Sequence, residues 1–268
     1  MPIALIWKLR PRQAARLNPT LGRAAHAAIL DLIHSISPAI ADQLHAESQV
    51  RPLMVTPPLL SNSEPPVQVN PDQTYHLRVA MIEPSLESIA AHWEAAPPEQ
   101  IRFGGATWEV ELITSQASVH PWAGRASYAE LIAAGADQRR WLFELAAPVT
   151  FRRKGKSMPL PMPELVFGSL LDRWNTYAPL QFPEDVRHQI VEHVGVGRVE
   201  LRSIAGITKG GIPQIGSVGT IGYNVAQEED LLAGMIETLA RFAFYSGVGA
   251  GTARGFGLVR LVLASSRT

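Results

Sequence analysis

Eleven residues near the C-terminus, Gly247-Val-Gly-Ala-Gly-Thr-Ala-Arg-Gly-Phe-Gly257, combine five glycines with Thr252 and Arg254. Glycine loses the most backbone freedom on folding, so a cluster this dense implies backbone that must approach something closely. A phosphate chain is the leading ligand for such a loop. The apolar strand pattern follows these glycines instead of preceding them. That order argues against the dinucleotide fingerprint, which runs strand, glycines, helix. A second constellation is Leu44-His-Ala-Glu-Ser-Gln-Val-Arg51-Pro, where His45 and Arg51 flank one short loop. An imidazole and a fixed cation on such a loop could share a phosphate, with the histidine moving protons near neutral pH.

The other seven histidines are His26, His34, His76, His92, His120, His188 and His193. No pair has the spacing and adjacent acid of a helical zinc site. There is no Gly-x-Ser-x-Gly elbow, and the absence of cysteine excludes thiolate nucleophiles, thiolate metal sites and disulfides. His188 and His193 read as surface residues and His76 as a residue on the less apolar side of a strand. A cysteine-free chain fits the cytoplasm.

The elements that must position these residues follow from periodicity. Residues 2–9 predict a strand, 21–35 a helix with Ala24, Ala27, Ala28, Leu32 and Ile33 at helical spacing, and Ser37-Pro38 a second helix ending near His45. Asn18-Pro-Thr opens the first of these helices. Strands are expected at 51–60 and 74–82 across a long Ser/Asn/Pro loop, a helix at 84–95, and strand material at 101–118 with Trp108, Val110 and Leu112 on one face. The second half repeats the order: a strand at 138–152, a helix at 163–177, strands at 196–209 and 213–225, a helix at 228–245 with Leu231, Met235, Leu239 and Phe242 in one stripe, and a last strand at 255–264. Each half therefore reads βαββαβ, the ferredoxin-like order, and the fold class is α+β with two tandem ferredoxin-like (RRM-like) domains. The division falls at 1–125 and 126–268, the second domain carrying the glycine-rich loop. Its join lies in the Gly/Ala-rich stretch 121–136.

With 268 residues, 46% of them hydrophobic, the chain can bury a sizeable core. No apolar run approaches the roughly 20 residues of a membrane helix. The first residues place their charges after the apolar run, which suits a first strand better than a secretory signal. Net charge is zero, yet cations cluster: Lys8, Arg10, Arg12, Arg16 and Arg23 near the start, then Arg139, Arg140, Arg152, Arg153, Lys154 and Lys156 against Glu144 alone. Two basic patches on a neutral body suit a polyanion docking on one face. Arg254, Gly255, Phe256, Gly257 and Val259 also match the RNA-recognition octet, but Leu258 and Leu261 replace its later aromatics, and too little chain follows for the standard module.

Two regions together, Leu21 to Pro58 and Gly247 to Gly257, resemble the CRISPR repeat-processing endoribonucleases, the RNA-cleaving members of the repeat-associated mysterious protein (RAMP) superfamily. The resemblance implies a metal-independent endoribonuclease, without cofactor, that cuts precursor CRISPR RNA within each repeat. It would leave a 2′,3′-cyclic phosphate and a 5′-hydroxyl. It implies His45 as the active-site histidine and Arg51 in the place of the family's basic partner, often lysine. Some members add a tyrosine on the first helix, where this chain has Leu30. Others carry the histidine on that helix, so His26 and His34 are rivals to His45. The loop residues Gly247, Gly249, Gly251, Thr252, Arg254, Gly255 and Gly257 would contact RNA phosphates, with Arg152, Arg153, Lys154 and Lys156 on a repeat stem. The implied partners are repeat RNA, subunits of a CRISPR effector complex and a second copy of the chain. The competing readings are a non-catalytic RAMP subunit that only binds guide RNA, and a ferredoxin-like protein whose glycine loop is a structural turn.

Overall fold

The computed structural model describes residues 1–17, 21–46, 50–59, 68–133, 138–207, 213–226 and 229–262; the side chains of His45, Ala46, Pro58, Leu59, Gly206, Ile207 and Pro213 are outside that description. The expected helix opening at Asn18-Pro-Thr, the Ser/Asn/Pro loop at 60–67, the strand end at 208–209, the helix start at 228, the strand end at 263–264 and part of the join, 134–137, lie outside the described residues. No helix is long and apolar enough to cross a membrane. The chain forms two compact units, one comprising Met1–Ala126 with Thr252–Gly255, the other Ser127–Gly206, Pro213–Gly251 and the chain from Phe256.

In the first unit the elements run β1 (Ile3–Pro11), β2 (Ala15–Arg16), α1 (Leu21–Ile36), α2 (Pro38–Ala46), β3 (Leu53–Leu59), β4 (Gln68–Val69), β5 (Tyr75–Met81), α3 (Glu87–Ala95), β6 (Gln100–Phe103), β7 (Ala106–Thr114) and β8 (Gly124–Arg125). The sheet order is β3-β5-β1-β7-β6, all antiparallel, with β8 beside β1. This is the ferredoxin-like arrangement, extended by one hairpin. Alternate residues of β1 (Ile3, Leu5, Trp7, Leu9) and β5 (Tyr75, Leu77, Val79, Met81) point into a core shared with Ala25, Ile29 and Ile33 of α1 and Trp93 of α3. Trp7 and Trp93 meet edge to face at 5.0 Å. Ser37 caps α2, its Oγ accepting from the Ile40 N–H at 3.4 Å, and Pro38 occupies the first helical position.

The expected strand at 101–118 is a hairpin. Gly104 and Gly105 both take positive φ (65° and 88°), as a tight two-residue turn requires. Register then shifts between Lys8 and Leu9, with Lys8 opposite Leu112 and Leu9 opposite Val110, so Glu111 is an extra residue. Such a bulge reverses which side chains face the core. Trp108 and Ile113 are therefore buried, whereas Leu112 is 40% exposed and does not share the Trp108 face.

In the second unit follow α4 (Tyr128–Ala133), β9 (Arg140–Val149), β10 (Phe151–Arg153), β11 (Lys156–Met158), α5 (Pro163–Tyr177), α6 (Val186–His193), β12 (Val194–Ile207), β13 (Pro213–Val225), α7 (Asp230–Ser246) and β14 (Val259–Leu261). The sheet order β12-β13-β9-β14 is again ferredoxin-like. Phe143 of β9 packs on Phe167 of α5 and Tyr223 of β13, and Trp174 of α5 on Phe242 of α7. Of the expected α7 stripe Leu239 and Phe242 are buried, but in the first half of the helix Leu232 and Ile236 take the buried places, Met235 is half-buried and Leu231 is 85% exposed. The short helix α6 has no counterpart among the expected elements because its polar face dominates its pattern.

On the outer face of the first sheet, Arg78 is buried, donating from Nε to the Trp122 carbonyl at 2.9 Å. Beside it the His76 and His120 rings lie 4.7 Å apart, and His120 Nδ1 accepts the Trp122 N–H. Burial first, then Lys8, lowers the His76 pKa against an opposing Glu111; burial, His76 and Arg78 lower that of His120. Both folded-state values thus lie below the ordinary 6.5, so on acidification the unfolded chain takes up these protons first. Stability is therefore expected to fall as pH drops below that value. The His76→Gln/His120→Gln variant should show a flatter dependence between about pH 7 and 5 in thermal unfolding. An equally steep dependence would remove this pair as the cause.

Candidate active site

The first turn of α1 is shaped by a close neighbour. A Cβ on Gly22 would stand 2.1 Å from the Arg254 carbonyl oxygen. Gly255, at φ 92°, would place its own Cβ 2.7 Å from Pro57 Cδ of β3, and 3.8 Å from Gly22 Cα. The single 3-10 turn Thr252–Arg254 is thereby seated against α1 and β3. Residues four apart share a helix face, so His26, half-buried, lies one turn along α1 from this seat. Arg254 is exposed there, but Thr252 is only 3% exposed.

His45 belongs to the last turn of α2. Arg51 Nη1 donates to the Leu44 carbonyl at 3.1 Å, so its guanidinium sits beside the residue preceding His45. A cation is favoured at a helix C-terminus, where carbonyls lack intrahelical donors. Arg51 is otherwise exposed. His34 is exposed near the end of α1, and Leu30 is buried at 9%, in the core of the first unit. The structure thus brings Arg51 to the end of α2 and the Arg254 turn to the start of α1.

All five loop glycines have positive φ: 65°, 78°, 81°, 92° and 75° at Gly247, Gly249, Gly251, Gly255 and Gly257. The close approach inferred from sequence is made to the protein's own backbone. A Cβ on Gly249 would lie 2.3 Å from the Thr150 carbonyl oxygen. The Gly247, Gly249 and Gly257 N–H groups donate to Ala243 O, Ser169 Oγ and Pro148 O at 2.9, 3.3 and 2.9 Å. Those three amides are committed inside the second unit and shape the loop.

The two sequence-level basic patches differ. Lys8 and Arg10 pair with Glu111 at 3.0 and 2.6 Å, and Arg12 with Glu109 at 3.1 Å, so two carboxylates offset much of the charge of these three cations across the β1–β7 ladder. Hydrogen bonds from Arg10 and Lys8 hold the Glu111 carboxyl below its usual pKa. In the second patch Arg139 pairs with Asp230. Arg152, Arg153, Lys154 and Lys156 instead sit on the β10–β11 hairpin, turned at Lys154 (φ 48°) and Gly155 (φ 77°), with all four side chains exposed and no ion pair among the described residues.

Two family models match. One, the CRISPR Cas6 N-terminal domain, spans residues 1–133; the other, CRISPR-associated endoribonuclease Cas6, spans residues 143–259. The chain belongs to the Cas6 family. Among solved structures it is similar to a Cas6 product complex (28% identity, 98% of this chain and 99% of that one, TM-score 0.80). It also resembles a second, from Thermus thermophilus (26%, 98% and 100%, TM-score 0.82), and a Cas6 substrate mimic complex (28%, 97% and 99%, TM-score 0.76). No curated protein matches the sequence significantly.

As a Cas6-family endoribonuclease, the chain shapes the candidate site partly through residues outside the motifs: Gly22, Pro57 and Thr150. Gly22 carries a signal, because glycine inside a helix is unfavourable and here signals a close approach. Pro57 and Thr150 carry none, since they act through backbone or ring position. A Gly22→Ala variant is expected to lose about 1–3 kcal/mol of stability as the Arg254 turn is pushed off α1. Urea unfolding measures it; an unchanged midpoint would mean that the turn yields freely.

Proposed function

We propose that this Cas6-family chain cleaves CRISPR precursor RNA within repeats by metal-independent attack of a ribose 2′-hydroxyl on the adjacent phosphorus. The bond to the 5′-oxygen breaks, leaving a 2′,3′-cyclic phosphate and a 5′-hydroxyl. The observation that carries the reading is the Arg51 guanidinium on the Leu44 carbonyl, one residue from His45, in a chain matched over both halves by Cas6 models. His45 would take the 2′-hydroxyl proton or protonate the leaving oxygen, a role worth about 10²–10⁴ in rate. Arg51, always protonated, would stabilise charge building on the phosphoryl oxygens without exchanging protons. His26 and His34 are the rival proton carriers.

RNA contact is proposed at Gly251, Arg254 and Gly255 of the loop and at Arg152, Arg153, Lys154 and Lys156 of the hairpin. A stem read by shape suits cations on a projecting ribbon. Gly247, Gly249 and Gly257 serve by setting the loop's course. We take 1–125 and 126–268 as the two domains and the cytoplasm as the site of action. Effector-complex subunits or a second copy of the chain are the protein partners to test.

Incubation with repeat RNA in EDTA should give one cut, and none when the scissile nucleotide is 2′-deoxy. His45→Ala should lose at least about 10²-fold in single-turnover rate with binding kept. Loss in His26→Ala or His34→Ala instead would move the proton carrier onto α1. Tight binding of native and deoxy RNA without any cut would favour the guide-binding reading. Replacing all four hairpin cations by alanine should reduce the slope of log affinity against log salt by about 3. An unchanged slope would remove the hairpin from the RNA interface.

A further inference from the structure

The second unit contains a cation that the proposed reaction does not use. Arg173, on α5, is 9% exposed. Its Nη2 donates to the Gly249 carbonyl at 2.6 Å and its Nη1 to the Ser169 carbonyl at 3.0 Å. No carboxylate lies within ion-pair distance of it among the described residues; the adjoining Asp172 is exposed and pairs with Arg187 at 2.6 Å. Burial pushes the Arg173 pKa down to about 10, against opposing fields from Asp172 and Tyr177. An unpaired buried charge is costly, so a fold seeking stability alone would place a neutral group here. A guanidinium offers something else: two prongs in a fixed plane that reach two carbonyls at once.

Those prongs act at Gly249. Its N–H donates to Ser169 Oγ at 3.3 Å while its carbonyl accepts from Arg173, so α5 grips the residue by both polar groups. The opposite side of Gly249 is closed by the Thr150 carbonyl and by Phe151 Cε1, 3.3 Å from where a Cβ would stand. The next residue, Ala250, donates its N–H to the same Thr150 carbonyl at 2.7 Å. Thr150 directly precedes β10, the first strand of the basic hairpin.

We infer that Arg173 is a positioning residue for RNA binding: by clamping Gly249 it fixes the Gly247–Gly251 part of the loop to the foot of the basic hairpin, so that these two parts of the second unit present one RNA-contacting surface. This rests on the RNA-binding reading of loop and hairpin given above. Ser169, one turn earlier on α5, is the second jaw of the clamp. The guanidinium acts through geometry, so its charge alone does not suffice.

The test measures repeat RNA affinity and the single-turnover cleavage rate at saturating protein for the full chain, Arg173→Met, Arg173→Lys, Ser169→Ala and Arg153→Ala. Arg173→Met should bind about tenfold more weakly, the effect of losing a charged hydrogen bond, while bound RNA is cut at an unchanged rate. Arg173→Lys keeps the charge without the fork and should stay weak. Combined with Arg173→Met, the Arg153→Ala change should cost less affinity than it does alone, because the hairpin is no longer coupled to the loop. Ser169→Ala, a gentler change, should weaken binding in the same direction if Arg173→Met fails to fold. Full affinity in Arg173→Lys, strictly additive losses, or a slowed rate at unchanged affinity would overturn the inference. If Arg153→Ala leaves the salt-dependent affinity of the parent intact, the hairpin reading fails, and with it the coupling.

Discussion

The Arg254 carbonyl lies where a side chain on residue 22 would otherwise begin, and much of the site follows from that close approach. It requires glycine at the start of α1, where glycine is a poor helix former. It requires Gly255 as well, because Pro57 closes the far side. The turn Thr252–Arg254 is then held with the first unit although it is nearly the full chain length away in sequence. Through this seat an exposed arginine reaches the helix that carries His26 and that leads, by Ser37, into the helix ending near His45. Glycine adopts positive φ freely but loses more backbone freedom on folding than alanine, roughly 0.5–1 kcal/mol each in regular structure, so ordering five of them needs compensation. It comes from internal hydrogen bonds at Gly247, Gly249 and Gly257, with Thr252 and Ala253 buried between them and Arg254 exposed.

Charge is distributed by the same logic. On the first sheet, cations alternate along β1 because the pleat sends every second side chain to the open face, and β7 sets Glu109 and Glu111 against them. Exposed pairs of this kind contribute little stability, about 0–1 kcal/mol each, but they cancel a field that would otherwise attract polyanions indiscriminately. The hairpin β10–β11 does the reverse. Its four cations have no acid on either strand, so their field points outward. A neutral protein can thus present a basic surface, and the overall charge of the chain carries no information about it.

Much of the fold could be read from periodicity. The helix at Pro163–Tyr177 begins and ends where proline and pattern placed it, and β1, α1, α2 and β13 lie close to their expected spans. Failures have physical causes. A single strand was expected at 101–118 because apolar alternation continues through the sharp turn at Gly104-Gly105. The Glu111 bulge then moved Leu112 to solvent, and alternation alone cannot reveal an inserted residue. On α7, Leu231 and Leu232 are chemically equivalent, and only packing chooses the buried one. At the site, the glycine loop was visible as a need for close approach, and the protein's own groups make two such approaches, the Thr150 carbonyl at Gly249 and the Pro57 ring at Gly255. Sequence shows that a Cβ is missing without showing what fills its place.

Arg51 illustrates how a site can be prepared before its ligand arrives. A free arginine side chain loses substantial rotamer entropy when it is fixed on a phosphate. Here one Nη is already tied to the end of α2, so part of that loss is incurred on folding and offset by the helix dipole. The remaining donors of the fork are left for a second acceptor, which a lysine with a single ammonium would serve less directionally. Arginine in place of lysine at this position therefore changes the chemistry in one respect. A lysine can in principle donate a proton, whereas this guanidinium can only stabilise charge. Proton movement in the proposed reaction must then fall to an imidazole, and the first unit supplies histidines on both α1 and α2 for that task.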